Sequence, residues 1–219
     1  PSNPTGAAAE PAQLEEIADV VRRVAPPECR VYSDEVYERI LFDGRTHCSI
    51  ASLPGMAERT IIVGGVSKTY AWTGGRVGWA VFPTAEEAAV FKNFNINYFS
   101  CVPAYNQMGA KVGIESPASE PEIRRMVAAF QGRRDAVCAR LGKIPGITCS
   151  VPSGAFYVWP NIAGACRAVG AIAAHESLPA AARAGSSPAT LFQRFLLFKY
   201  QVATLDRRSF GRIGSDGQH

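Results

Sequence analysis

The start of the chain carries apolar residues at helical spacing. Leu14, Ile17 and Val21 recur three or four residues apart, which predicts an amphipathic helix over residues 11–25. Pro11 suits the first turn of that helix, because the N–H that a proline lacks has no helical partner there. The residues before it are turn formers, so we expect the chain to open with a turn that leads into one helix.

Short apolar runs between glycines and polar residues predict β-strands at residues 30–33, 60–64 and 77–82. Helical patterns return at residues 85–94 and 103–114. Alternation of helices with buried strands is typical of an α/β layer architecture. We therefore predict part of a large domain with a mostly parallel sheet and flanking helices.

The pattern changes after residue 116, where a long helix is predicted over residues 120–141 and the later elements are shorter. We place a domain boundary here, between a large-domain part, residues 1–116, and an incomplete C-terminal α+β small domain, residues 117–219. The other predictions for this part are strands at residues 147–151, 155–159 and 202–205, a loop or insertion at 163–187, and a helix at 188–200.

Composition excludes several classes of protein. Of 219 residues, 47% are hydrophobic and 19% are charged, which is ordinary for a globular domain. The net charge of +4 is spread over helical patterns that also carry acids, so we expect solvated helix faces and no nucleic-acid partner. No apolar run is long enough to span a bilayer. The six cysteines form no CxxC pair and the three histidines are far apart, so we expect no metal site and a cytoplasmic location.

Five polar residues stand at predicted strand ends or in loops: Asn3, Asp34, Tyr37, Lys68 and Arg76. Ligands of open α/β sheets bind beyond the carboxyl ends of the strands. Asp34 directly follows the first predicted strand, and Lys68 follows the second by four residues. If those two strands are parallel neighbours, both side chains open on the same crevice.

Longer motifs surround these residues. Asn-Pro-Thr-Gly stands at residues 3–6, Tyr-Ser-Asp-Glu-Val-Tyr-Glu at 32–38, and Ser-Lys-Thr-Tyr-Ala-Trp-Thr-Gly-Gly-Arg-Val-Gly at 67–78. Ser-Cys-Val-Pro at 100–103 and Gly-Ala-Phe-Tyr at 154–157 follow. In this order and spacing the chain resembles the class I/II aminotransferases, the aspartate-aminotransferase-like enzymes of fold type I that use pyridoxal 5'-phosphate. The resemblance covers nearly the whole chain and is weakest at 163–187.

The resemblance implies a role for each matching residue. Lys68 would form a Schiff base with the cofactor aldehyde and, after substrate displaces it, move a proton between the substrate α-carbon and the cofactor. Asp34 would pair with the pyridine nitrogen. Asn3 and Tyr37 would hydrogen-bond the phenolic oxygen of the ring, which tunes the pKa of the Schiff base. Arg76 would bind the phosphate.

Ser67 is a further candidate phosphate ligand. The family's usual phosphate serine lies three residues before the lysine, where this sequence has Gly65. The residue types also suit the chemistry of the cofactor by themselves. An aldehyde needs an amine, a pyridinium nitrogen needs an acid, and a phosphate is well matched by a planar, permanently charged guanidinium.

From this resemblance we expect a homodimeric transaminase (EC 2.6.1.-) that moves an amino group between an amino acid, aspartate-like or other, and a 2-oxo acid. The glycine-rich phosphate loop and the aromatic residue that stacks on the cofactor are expected before Asn3, and the arginine for the substrate carboxylate beyond His219. The chain is therefore expected to be part of a longer enzyme. Arg207, Arg208 and Arg212 are interpreted as surface residues rather than substitutes for that arginine.

Three alternatives stand beside this interpretation. A non-catalytic aminotransferase-like domain could sense a ligand within a transcription regulator. A truncated fragment could be inactive. Pyridoxal-phosphate lyases share much of the same scaffold, and which bond at the α-carbon breaks depends on orienting residues that are not among these.

Overall fold

The computed structural model describes residues 1–211. Packing divides the chain into two compact units. The first consists of Pro1–Arg133 with Pro152–Tyr157, and the second of Arg134–Val151 with Val158–His219. Each unit is described separately below.

The first unit contains a three-stranded sheet in the order β1 (Val31–Asp34), β2 (Thr60–Gly65) and β3 (Gly78–Val81). β1 and β2 are parallel, with Asp34 opposite Val63. The condition under which Asp34 and Lys68 were expected to open on the same crevice, that these two strands are parallel neighbours, is therefore met. β3 pairs with β2 in the antiparallel direction, so the chain reverses its direction between the end of β2 and the start of β3. Within the described residues the sheet is mixed, rather than mostly parallel as predicted.

Five helices belong wholly or partly to this unit: α1 (Pro11–Val24), α2 (Val66–Thr69), α3 (Ala85–Phe99), α4 (Ala104–Glu115) and α5 (Ser119–Leu141). Short 3-10 helices occur at Ile50–Ser52, Ala57–Arg59 and Thr73–Gly75. α1 begins where its sequence predicts: Pro11 occupies the first turn, and Glu10 and Gln13 form a reciprocal capping box. The predicted helices are confirmed, although α3 runs five residues beyond its predicted end.

Two small cores hold the first unit together. One joins Ala18 of α1 to Ile50 and Met56, so the apolar face of α1 covers the segment that leads into β2. The other joins Tyr37, Ile40, Phe42 and Ala155, with Phe130 of α5 packed against it. Main-chain hydrogen bonds support this second core, since Ala155 N donates to Ile40 O at 2.8 Å and Phe42 N to Ser153 O at 3.0 Å. The segment that follows β1 is thereby fixed to residues 152–157.

The second unit contains a two-stranded antiparallel ladder and several helices. β4 (Thr148–Cys149) pairs with β5 (Pro160–Asn161). The helices are α6 (Ala163–Ala168), α7 (Ala171–Glu176), α8 (Ala180–Ala184) and α9 (Pro188–Tyr200), and a 3-10 helix follows at Arg207–Phe210. α9 matches its predicted bounds and begins with a capping box in which Ser187 Oγ accepts a hydrogen bond from Thr190 N at 3.2 Å.

Three predictions for the C-terminal part are wrong. Residues 155–159 form no strand, because Ala155 adopts a left-handed turn with φ 56° and the strand forms later, at Pro160–Asn161. Residues 163–187 are mostly helical rather than a loop, because alanine favours helix and only Gly170, Pro179 and Gly185 interrupt it. Residues 202–205 have no ladder partner in the described part of the chain. Of the helices in residues 1–211, none is both long enough and apolar enough to cross a membrane.

Candidate active site

The end of β1 brings two of the predicted site residues close together. Asp34 is the last residue of β1, and its Oδ1 accepts a hydrogen bond from Val36 N at 3.2 Å, which forms a local turn. The backbone of Glu35 continues the ladder by donating to Val63 O at 2.8 Å. Tyr37 follows on the buried side of this turn and is 5% exposed. Asp34 itself is exposed.

Lys68 lies beside this turn. It belongs to α2, the single helical turn that follows β2 directly. Its Nζ is 5.9 Å from the centroid of the Tyr37 ring and 5.7 Å from that of Phe156. The side chain is half-buried, and no carboxylate in residues 1–211 forms an ion pair with it. Lys68 therefore presents an amine that contacts aromatic faces and is not committed to an acid.

The segment after Pro152 contributes two aromatic residues to the same place. The Phe156 ring meets the Tyr37 ring edge-on at 5.5 Å, and the Tyr157 ring does so at 5.7 Å. The Tyr37 and Tyr157 hydroxyls hydrogen-bond to each other. Burial, and next this hydrogen bond, raise the pKa of Tyr37 well above its usual range, so the phenol keeps its proton at neutral pH.

Sequence reasoning assigned no role to Tyr157. The structure brings Phe156 to Lys68 and Tyr37, and Tyr157 to Tyr37, although both partners lie more than 80 residues earlier in the chain. The signal that could have found Tyr157 is the Gly-Ala-Phe-Tyr motif at residues 154–157. The motif alone does not show which of its two aromatic side chains faces the site.

Ser67 lies in α2, and Arg76 lies in the loop that follows it. Arg76 adopts a left-handed backbone conformation with φ 52°, and its Nη1 donates to Thr73 O at 2.9 Å. Thr73 Oγ1 in turn donates to the main-chain oxygen of Ser67 at 3.3 Å. The guanidinium of Arg76 is exposed and forms no ion pair with any carboxylate among the described residues. Its position leaves the charge available to an anion.

Asn3 lies in the exposed turn at the start of the chain. The turn is attached to the segment that carries Tyr157, because Gly6 O accepts hydrogen bonds from Ser153 N at 2.9 Å and Gly154 N at 3.0 Å. In the part of the chain that the structure describes, no hydrogen bond joins the Asn3 side chain to Lys68. The structure thus brings Lys68 to Tyr37, three residues after Asp34, and among the described residues no hydrogen bond or ion pair joins Lys68 to Asp34, Asn3 or Arg76.

A network centred on Glu35 supports the turn after β1. Glu35 is 7% exposed, and its carboxylate accepts hydrogen bonds from Ser33 Oγ at 3.1 Å, Ser49 Oγ at 2.5 Å and His47 Nε2 at 2.8 Å. Glu35, Glu38 and His47 each place one potential metal-ligand atom within 4.8 Å of the others. Because three donors already occupy the oxygens of Glu35, we interpret the group as hydrogen-bonded support for the turn.

Known proteins resemble this chain over most of its length. Residues 1–216 match the family model of aminotransferase class I and II. The chain is 36% identical over 216 residues to the bifunctional aspartate aminotransferase and glutamate/aspartate-prephenate aminotransferase of Petunia hybrida, covering 96% of this chain and 42% of that protein. It is 38% identical over 164 residues to aromatic-amino-acid aminotransferase 2 of Thermococcus litoralis, covering 74% of this chain and 40% of that protein.

Solved structures agree with these relatives. The aspartate aminotransferase from Rhizobium meliloti matches with a TM-score of 0.81 at 31% identity, over 98% of this chain and 50% of that one. The aromatic aminotransferase from Pyrococcus horikoshii OT3 matches with a TM-score of 0.79 at 33% identity, over 97% of this chain and 50% of that one. The chain thus spans half or less of the length of these relatives. The match of the family model to residues 1–216 shows that the chain belongs to the class I and II aminotransferase family.

Proposed function

We propose that these residues form the cofactor-binding part and C-terminal part of a pyridoxal-phosphate-dependent aminotransferase. The observation that carries the proposal is the placement of the Lys68 amine, which contacts the rings of Tyr37 and Phe156 and has no acid partner among the described residues. A lysine amine held in this way can react covalently with a carbonyl carbon. The parallel pairing of β1 with β2 supports the same site, because it places Asp34, at the end of β1, opposite Val63 near the end of β2, and Lys68 lies in the helical turn that follows β2.

The donor set of the described residues fits pyridoxal phosphate. When bound, this cofactor supplies an aldehyde for the lysine and a ring that withdraws electrons from the substrate α-carbon. Asp34 would hold the proton on the pyridine nitrogen. Tyr37, whose raised pKa keeps it protonated, would donate to the phenolic oxygen, and Asn3 would be a second donor there.

Lys68 would have two tasks in turn. It would anchor the cofactor through a Schiff base, and then, displaced by the substrate, it would act as the general base and acid that moves the α-proton. The side chain of Lys68 is half-buried beside aromatic rings. This position suits both tasks, because it partly excludes water and still leaves the amine accessible to the cofactor and the substrate.

The phosphate would be bound by the loop after α2. Arg76 has an exposed guanidinium with one hydrogen bond to Thr73 O, which leaves further N–H groups for phosphate oxygens. Ser67 is the second proposed ligand, from the first turn of α2.

The proposed substrates are an amino acid and a 2-oxo acid. The relatives described above are named for aspartate, prephenate and aromatic amino acids. They are all named as aminotransferases, so they do not favour the alternative of a ligand-sensing domain in a transcription regulator. The proposal also includes a cytoplasmic location and no nucleic-acid partner. It further includes a division of the chain into a large-domain part, residues 1–116, and a C-terminal α+β small domain, residues 117–219.

A homodimer is also part of the proposal. Large apolar side chains of α3 and α4 are exposed in the described chain, among them Phe94 at 63%, Phe99 at 74% and Tyr105 at 77%. Several large exposed apolar side chains on two consecutive helices are typical of a surface that further protein covers. This surface supports the proposal that a second subunit, or more of the same chain, packs here.

The proposed function is tested by the absorbance of the purified protein after addition of pyridoxal phosphate. A near-ultraviolet or visible band from the Schiff base is expected, and Lys68→Ala should abolish it. Lys143→Ala, which changes an exposed lysine in the second unit, is the matched control and should leave the band unchanged. A band that persists in Lys68→Ala would show that Lys68 is not the anchor.

A further inference from the structure

The hydroxyl of Tyr37 has a fixed protein partner that the proposed function does not use. Tyr157 lies 120 residues later in the chain, yet the two hydroxyls hydrogen-bond to each other and the rings meet at an interplanar angle of 79°. Phe156 packs against both rings, with centroids 5.5 Å from that of Tyr37 and 4.9 Å from that of Tyr157. The pair is therefore held by packing as well as by its hydrogen bond.

The backbone also holds Tyr157 in place. Ala155 N donates to Ile40 O at 2.8 Å, and Leu41 forms a β-bridge with Gly154. These bonds connect the segment just before Tyr157 to the segment just after Tyr37. The distance between the two hydroxyls is therefore set by main-chain contacts on both sides.

The number of protons limits the directions that this hydrogen bond can take. Each phenol has one proton to donate, so only one hydroxyl of a bonded pair is the donor. If Tyr37 donates to Tyr157, its proton is already used and cannot reach another acceptor. If Tyr157 donates to Tyr37, the proton of Tyr37 stays free, and Tyr37 becomes a stronger donor because hydrogen bonds in a chain polarise one another.

We propose that Tyr157 is a positioning residue, which donates a hydrogen bond to Tyr37 and thereby directs the Tyr37 proton to the phenolic oxygen of the cofactor. The inference rests on the proposed function, in which Tyr37 lies at that oxygen. An acceptor at Tyr37 selects the arrangement in which Tyr157 is the donor. The result is a relay of two hydrogen bonds, from Tyr157 to Tyr37 and from Tyr37 to the cofactor.

The test is a pH titration of the cofactor absorbance in Tyr157→Phe, which keeps the ring and removes only the hydroxyl. A weaker bond from Tyr37 leaves the negative charge on the phenolic oxygen less stabilised, so the nearby imine holds its proton to higher pH. The midpoint should rise by roughly 0.1 to 0.7 pH unit, which corresponds to about 10–30% of one hydrogen bond to a charged group. Tyr200→Phe, which changes a tyrosine of the second unit that is 57% exposed, should not move it.

The double variant separates a relay from a packing effect. Tyr37→Phe should raise the midpoint further than Tyr157→Phe, and adding Tyr157→Phe to it should change nothing more, because Tyr157 acts only through Tyr37. Additive shifts in the double variant, or an unchanged midpoint in Tyr157→Phe, would overturn the inference while the proposed function stands. An unmodified protein that shows no cofactor band would overturn both.

A readout without the cofactor checks the hydrogen bond itself. In cofactor-free protein no cofactor oxygen competes for the Tyr37 proton, so Tyr37 can donate it to Tyr157, and a bond in that direction helps to raise the pKa of Tyr37. Near-ultraviolet titration of the tyrosines should therefore show a step at very high pH that moves to lower pH in Tyr157→Phe. The same titration curve in Tyr157→Phe, apart from the loss of one tyrosine, would contradict the pairing.

Discussion

Glu35 accepts a hydrogen bond from His47, with Oε2 and Nε2 2.8 Å apart, although the two residues belong to different segments of the loop that follows β1. Ser33 and Ser49 donate to the other oxygen of the same carboxylate. The network joins the end of β1 to the segment before β2, and it lies directly beside Asp34. We conclude that Glu35 fixes the turn on which the candidate site depends.

Replacement of Glu35 by glutamine should destabilise the protein by roughly 1–3 kcal/mol, because an amide nitrogen would then face groups that donate hydrogen bonds. Urea unfolding at neutral pH measures the loss. Glu58→Gln, at an exposed position, is the matched control and should be close to neutral. Equal stability of Glu35→Gln and the unmodified protein would show that the network contributes nothing.

The same carboxylate should make stability depend on pH. Burial raises the pKa of Glu35, but hydrogen bonds from His47, Ser49 and Ser33 outweigh it, so the pKa lies below its ordinary value of 4.5. The folded protein then binds this proton more weakly than the unfolded chain does. Its contribution is present above pH 4.5 and is lost as the pH falls through the lowered pKa. Unfolding free energies measured across this range should fall less steeply in Glu35→Gln.

Gly6 should tolerate alanine much less well than Gly44. Both have a left-handed backbone, with φ of 69° and 71°, so each pays roughly 1–2 kcal/mol for a side chain. At Gly6 a Cβ would also lie 2.6 Å from Pro152 Cβ and 2.9 Å from the Tyr157 carbonyl oxygen, whereas Gly44 has no neighbour within 4 Å. Gly6→Ala should therefore cost about 1–3 kcal/mol more than Gly44→Ala in thermal or urea unfolding. Similar losses would mean that the turn does not pack against residues 152–157.

Arg76→Ala should weaken the binding of pyridoxal phosphate. Charge-assisted hydrogen bonds contribute roughly 1.5–3 kcal/mol, so the dissociation constant should rise about 10- to 150-fold. Arg76→Lys should restore only part of the affinity, because lysine cannot match a phosphate with two parallel N–H groups. Fluorescence titration measures the affinity, and Arg125→Ala on the exposed face of α5 is the control. Unchanged affinity in Arg76→Ala would place the phosphate elsewhere.

Local patterns were enough to predict much of the first unit. The spacing of Leu14, Ile17 and Val21 predicted α1, and the apolar runs predicted β1 and β2 within one residue at each end. Alternation of helices and strands favoured a mostly parallel sheet, but the pairing of β1 with β2 was only a condition there, which the structure meets. The antiparallel direction of β3 did not follow, since it depends on how the loop at 66–77 returns, and the sequence does not show that direction.

Contacts between distant segments were out of reach. The Gly-Ala-Phe-Tyr motif suggested a strand by its apolar residues, but Ala155 turns with φ 56° and sends Phe156 and Tyr157 to Tyr37. Glycine and serine among the alanines of residues 163–187 favour a loop or insertion in the sequence, but the helix propensity of alanine prevails there. Arg207 and Arg208 lie in a 3-10 helix, and Arg212 lies outside the described residues.

We propose that Lys68, one of five lysines in the sequence, binds the cofactor covalently. Borohydride added to the protein with bound pyridoxal phosphate delivers hydride to the carbon–nitrogen double bond and leaves a stable secondary amine on the lysine. Digestion and peptide mass spectrometry then locate the added mass. The added mass should lie on the peptide containing Lys68 and should be absent from Lys68→Ala. Stoichiometric label on any other lysine, with Lys68 unmodified, would contradict it.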